Sequence, residues 1–180
     1  MKKLLSIVMA LTLSVSLFAG CGSKTEQPTT TEAALTVEGT MEELLNQIVT
    51  ENPVEFMGGV IPIDLTDTSE DGLWAIKSYT GLEDASAITE AAAFEPMMGS
   101  IAFSMVMVRV APDAGSKTVA EAMKSGIDTR KWICVEANDL LVTGYGDVVM
   151  LIMLNTDSGM TAQSFVDAFA KVVGAPEFTI

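Results

Sequence analysis

The stretch Ile101-Ala102-Phe103-Ser104-Met105-Val106-Met107-Val108-Arg109-Val110 (IAFSMVMVRV) decides the fold. In an extended chain Val106, Val108 and Val110 share one face, and Ile101, Phe103, Met105 and Met107 share the other. Both faces are apolar, the pattern of a strand inside a sheet rather than at its rim. Residues 148–154 (VVMLIML) have the same two-sided character. Both strands are expected to be central.

Further along the chain, Leu140–Thr143 and Val148–Leu154 form a hairpin around Gly144-Tyr145-Gly146-Asp147. Pro112 to Gly115 turns the chain into a helix from about residue 116 to 129, with Val119, Met123 and Ile127 on its buried side. A last helix, about 161–173, buries Phe165, Phe169 and Val172 and stops at Gly174. On the N-terminal side, Thr40-Met41-Glu42-Glu43 is a capping-box pattern. It leads into Leu44, Leu45, Ile48 and Val49, and Asn52-Pro53 closes the helix. Ser69 caps a second helix carrying Leu73, Trp74 and Ile76, with Gly81 as its stop. Phe56 to Ile63 reads as an extended connection.

Residues 85–98 combine helix-favouring Ala and Glu with the helix breaker Pro96, ahead of a turn at Met98-Gly99-Ser100. An edge strand is the reading, with a helix as the open alternative. From residue 85 the order is then strand, strand, helix, strand, strand, helix. That order predicts an α+β domain of two layers, a mostly antiparallel four-stranded sheet with packed helices.

The N-terminus carries an address. Lys2 and Lys3 precede an apolar run from Leu4 to Phe18, too short for a membrane span, and Phe18-Ala19-Gly20-Cys21 follows. This is similar to the lipobox of bacterial lipoproteins, with Phe18 in place of the usual Leu. Residues 1–20 are expected to be a cleaved signal peptide, and Cys21 the lipidated first residue of the mature chain. Two acyl chains would hold it durably at the extracytoplasmic face of the membrane. Residues 21–39, rich in Thr, Glu, Ser and Gly, read as a flexible tether reaching roughly 25 Å. Residues 40–180 form the single domain.

Composition bounds the chemistry. The chain of 180 residues has 10 Lys and Arg against 24 Asp and Glu, a formal charge of −14 that becomes −16 once Lys2 and Lys3 leave. Such acidity opposes nucleic acid and anionic lipid surfaces. There is no histidine, which removes Ser-His-Asp and Cys-His catalysis and His-ligated zinc. With Cys21 lipidated, Cys134 has no partner for an intramolecular disulfide.

A resemblance rests on several landmarks. They are Tyr79-Thr80-Gly81, Glu95-Pro96-Met97-Met98 before the strand Ile101–Val110, Asp128-Thr129-Arg130-Lys131-Trp132, and the strand Asp147–Leu154 after a glycine turn. With the lipobox and tether, the region Thr40 to Val173 resembles the Gram-positive surface lipoproteins of the domain-of-unknown-function family numbered 4358. The resemblance implies a surface lipoprotein. It carries over one functional residue, Cys21.

Local clusters read as structure rather than chemistry. Asp64, Asp67, Glu70 and Asp71 (DLTDTSEDG) lack the spacing of a calcium loop and suit a solvated turn and helix start. Lys117, Lys124 and Lys131, with Glu121 and Asp128 between them, read as one salt-bridged helix face. Met97, Met98, Met105, Met107, Met150 and Met153 read as core, and Cys134 as an inert thiol among apolar neighbours. No catalytic, cofactor-binding or metal-binding residue is assigned, and no cofactor. The functional expectation is a membrane-anchored, non-enzymatic binding or accessory module whose partner is a protein or a cell-surface component. Its alternative is a small carboxylate-dependent hydrolase acting on cell-wall material. Phe103, Met105 and Met107 are the candidate partner face, open to a partner unless the helices at 40–51 and 69–80 seal it.

Overall fold

The computed structural model describes residues 35–180. The expected signal peptide, Cys21 and the first part of the expected tether lie outside them. Among the described residues no helix is long and apolar enough to cross a membrane. The domain is α+β, with one six-stranded sheet whose paired neighbours all run antiparallel.

In chain order the elements are α1 (Met41–Glu51), β1 (Gly58–Pro62), α2 (Glu70–Thr80), β2 (Ile88–Pro96), β3 (Phe103–Val110), α3 (Ser116–Gly126), β4 (Asp139–Tyr145), β5 (Val148–Leu154), a 3₁₀ turn (Thr156–Ser158), α4 (Ala162–Val172) and β6 (Phe178–Thr179). The spatial order of the strands is β1-β2-β3-β5-β4-β6. As the two-sided apolar pattern implied, β3 and β5 sit together at the centre.

That same pattern overturns the two-layer, four-stranded expectation. A strand apolar on both faces needs cover on both, and the helices supply it from opposite sides. Phe103, Met105, Met107, Met150 and Ile152 pack with Leu44, Leu45 and Ile48 of α1 and Phe165 and Phe169 of α4. Val106, Val108, Leu151 and Met153 pack with Ile76 of α2 and Val119 and Met123 of α3. The result is three layers. The two extra strands are β1, where residues 56–63 were expected only to connect, and β6. Residues 85–98 do form a strand, but β2 lies between β1 and β3 rather than at the edge.

The caps follow from the sequence. The Thr40 hydroxyl accepts from the Glu43 N–H while the Glu43 carboxylate accepts from the Thr40 N–H, closing the capping box. The Ser69 hydroxyl accepts from the Gly72 N–H, and Gly81 ends α2 in the left-handed region at φ 79°. α3 ends at Gly126, three residues earlier than expected, because the ends of α2 and α3 meet there. A β-carbon on Gly126 would fall on the Gly81 carbonyl oxygen.

Residues 35–39, expected as the end of the flexible tether, are tied to the sheet. The Asp147 N–H donates to the Leu35 carbonyl at 3.0 Å. The Val37 N–H donates to Asp147 Oδ1 at 2.8 Å. Arg109 reaches over from β3, its Nη1 donating to Asp147 Oδ2 (2.8 Å) and the Val37 carbonyl (3.0 Å), and its Nη2 to the Gly39 carbonyl (2.5 Å). Glu90 completes the clamp, accepting from Arg109 Nε at 3.3 Å and from the Met41 N–H at 2.8 Å. A planar guanidinium with five donors suits so many acceptors, and Asp147 and Glu90 hold its pKa up against burial.

Candidate functional site

Next to the register pair Phe94↔Met105, the side chains of Glu95 on β2 and Ser104 on β3 meet. These two polar side chains lie on the α2–α3 side, at the sheet end where β2 turns into β3. Buried polar groups require partners, and Lys131 supplies one. Its ammonium donates to Glu95 Oε1 at 2.6 Å and to Ser104 Oγ at 3.1 Å, and points at the Ser78 carbonyl at 3.4 Å. The Ser104 hydroxyl in turn donates to Glu95 Oε1 at 2.7 Å. The rings of Tyr79 and Trp132 stand 5.0 and 5.4 Å from Lys131 Nζ, within cation–π range.

Ser104 is fully buried, and the side chains of Lys131 and Glu95 keep only 11% and 13% of their exposure. Burial pushes the Lys131 pKa down, with Glu95 opposing. Burial also raises the Tyr79 phenol, helped by the Glu95 charge. All three ammonium protons are committed and the serine hydroxyl is held between two charges. The cluster therefore fixes the loop after α3 to the sheet. It also corrects the reading of the lysines. α3 ends before Lys131, which leaves the face shared by Lys117 and Lys124 and turns inward.

Exposed apolar side chains gather near this sheet end. Met57, Met97 and Met98 are 77%, 75% and 59% exposed, and the Met97 N–H donates to the Met57 carbonyl at 2.9 Å. Ile133, two residues past Lys131, is fully exposed. Ile101 stands between two shallow cavities, of 310 Å³ toward Asn155 and 560 Å³ toward Phe56 and Met160.

No family model, curated protein or solved structure matches the chain.

Placement then decides which expected site residues can act. Phe103, Met105 and Met107 are completely buried, sealed by α1 and α4, so no partner face exists there within one chain. Met105, Met107, Met150 and Met153 are core as expected, whereas Met97 and Met98 are surface. Cys134 is exposed, because the loop holding it swings outward beyond Trp132. Among the described residues no group of three or more His, Cys, Asp or Glu is placed to hold a metal ion.

The acidic stretch is a turn and a helix start. Asp64 Oδ1 accepts from the Thr66 N–H and hydroxyl, and Asp67 Oδ1 from the Ser69 N–H. These bonds hold both carboxyls below their usual pKa.

The sequence reading overlooked Glu95 and Ser104. The signal for Ser104 was a polar residue amid the apolar run of β3, which demands a buried partner from elsewhere in the chain.

Proposed function

We propose that this chain is a membrane-anchored extracytoplasmic lipoprotein, lipidated on Cys21, whose domain is a non-enzymatic binding or accessory module for a protein partner. Its kinship with the family numbered 4358 belongs to the same proposal. The address rests on Phe18-Ala19-Gly20-Cys21 and the apolar run before it. The observation that carries the binding reading is the exposed methionine group Met57, Met97 and Met98, joined across the start of β1 and the end of β2. Flexible, polarisable thioethers adapt to a partner surface, and apolar side chains grouped in water mark such surfaces.

The test compares membrane crosslinking by the full-length protein with that of a variant carrying Met57→Ser, Met97→Ser and Met98→Ser. Loss of the three contacts is expected to lower recovery of the crosslinked partner about tenfold. Equal recovery of the same partners by both proteins contradicts the assignment of this surface.

A further inference from the structure

The outer edge of β1 is unpaired by any described strand. The Met97 N–H bonds to the Met57 carbonyl and the Ile63 N–H to the Ala91 carbonyl. With the register Gly59↔Glu95 and Ile61↔Ala93, residues 57, 59, 61 and 63 turn their backbone groups toward β2. Gly58, Val60 and Pro62 turn theirs outward. Pro62, which has no N–H to give, sits at an outward position where β2 needs none. The N–H and C=O of Gly58 and Val60 and the carbonyl of Pro62 have no hydrogen-bond partner among the described residues.

Edge strands are usually guarded by charge, a bulge or a covering element. Gly58–Pro62 (GGVIP) contains no charge, and Pro62 guards only its end. The surroundings are acidic. On the α2 side of the strand a groove of about 280 Å³ runs between Ile61–Ile63 and α2, floored by Ala75 and Tyr79 and rimmed by Asp64, Asp67 and Asp71. None of these three acids has an ion-pair partner among the described residues.

We propose that the open edge of β1 is a docking site for an extended, cationic segment of a protein partner. The segment adds a seventh strand through Gly58, Val60 and Pro62 and directs basic side chains toward Asp64, Asp67 and Asp71. Main-chain bonds supply attachment, and alternate side chains supply selectivity. The opposite charge around the groove selects a basic strand and disfavours a second copy of this chain, which is itself strongly acidic. This proposal rests on the binding-module reading and names its partner class.

Gly59 provides a clean probe. Its position faces the α2 side, and a β-carbon there meets no atom within 4 Å, so a side chain can be added without a clash. The full-length protein in non-ionic detergent is titrated with the peptide acetyl-Lys-Val-Lys-Val-Lys-Val-amide and with its Glu-Val counterpart. Amide exchange at Gly58 and Val60 is followed by NMR. The cationic peptide is expected to slow exchange at both amides by about tenfold, and the acidic peptide to leave them unchanged. Gly59→Lys should weaken binding about threefold and Gly59→Glu should tighten it by a similar factor. Unchanged exchange with the cationic peptide overturns the proposal, as does equal protection by the acidic one. Protection that grows with protein concentration alone assigns the edge to a second copy and also overturns it. A partner crosslinked through Met57, Met97 and Met98, with binding indifferent to both Gly59 variants, overturns the edge site while leaving the binding module standing.

Discussion

Lys131 Nζ stands 2.6 Å from Glu95 Oε1, across 36 residues of chain, with both side chains almost out of water. Removing one member of such a pair leaves the other charge buried without compensation, whereas replacing both with apolar groups is often harmless. Lys131→Met is therefore expected to lower unfolding free energy by about 2–4 kcal/mol, and Glu95→Leu combined with Lys131→Met to recover most of it. Urea midpoints of the two variants check this. A Lys131→Met protein as stable as wild type would show that the pair contributes nothing.

The Arg109 clamp gives a more local expectation. Arg109→Lys keeps the charge but cannot satisfy Asp147, Glu90 and the carbonyls of Val37 and Gly39 together. Residues 35–39 should detach while the sheet persists. Hydrogen exchange at the Val37 amide is expected to rise by at least about tenfold, with amides of β5 unaffected. Retained protection at Val37 would contradict the clamp.

Cys134 is exposed although its neighbours in sequence are apolar. A thiol reagent should therefore label the native domain at a rate close to that of the urea-unfolded chain. Cys134→Ser should change stability by less than about 0.5 kcal/mol. Labelling slowed a hundredfold in the native protein would contradict the exposed placement.

Asp64, Asp67 and Asp84 are each held below the ordinary aspartate pKa of 3.8, chiefly by hydrogen bonds from Thr66, Ser69 and Ser86. Their folded pKa values are lower than their unfolded ones. The stability they contribute is thus complete above 3.8 and lost as pH falls through the lower folded values. Replacing all three with Asn keeps an acceptor oxygen and removes the titration. Melting temperature measured against pH should then fall less steeply below pH 3.8 than in wild type. An unchanged acid limb would contradict the shifts.

The elements of this fold were legible where local chemistry decides them. Thr40 with Glu43, Ser69, and Gly81 marked helix ends through bonds made within a few residues. The two-sided apolar strands Ile101–Val110 and Val148–Leu154 announced the sheet's centre. The cover that these strands demand on both faces makes three layers rather than two and closes the Phe103–Met105–Met107 face. β1 was hidden because Gly58-Gly59 carries no side-chain pattern and its pairing with β2 is a tertiary fact. Lys131 looked like a helix-face lysine because heptad spacing does not reveal that α3 stops at Gly126. Its partners Glu95 and Ser104 are 36 and 27 residues away.

Lipidation of Cys21 is the claim on which the anchored-module reading stands, and the mass of the mature N-terminal peptide tests it most directly. Protein purified from membranes, digested and analysed by mass spectrometry should yield a peptide beginning at Cys21, with residues 1–20 absent and a diacylglyceryl group on the sulfur. Cys21→Ser should abolish that peptide and leave uncleaved precursor or released protein. A mature chain that begins elsewhere, or a membrane-bound protein with an unmodified Cys21, would contradict it.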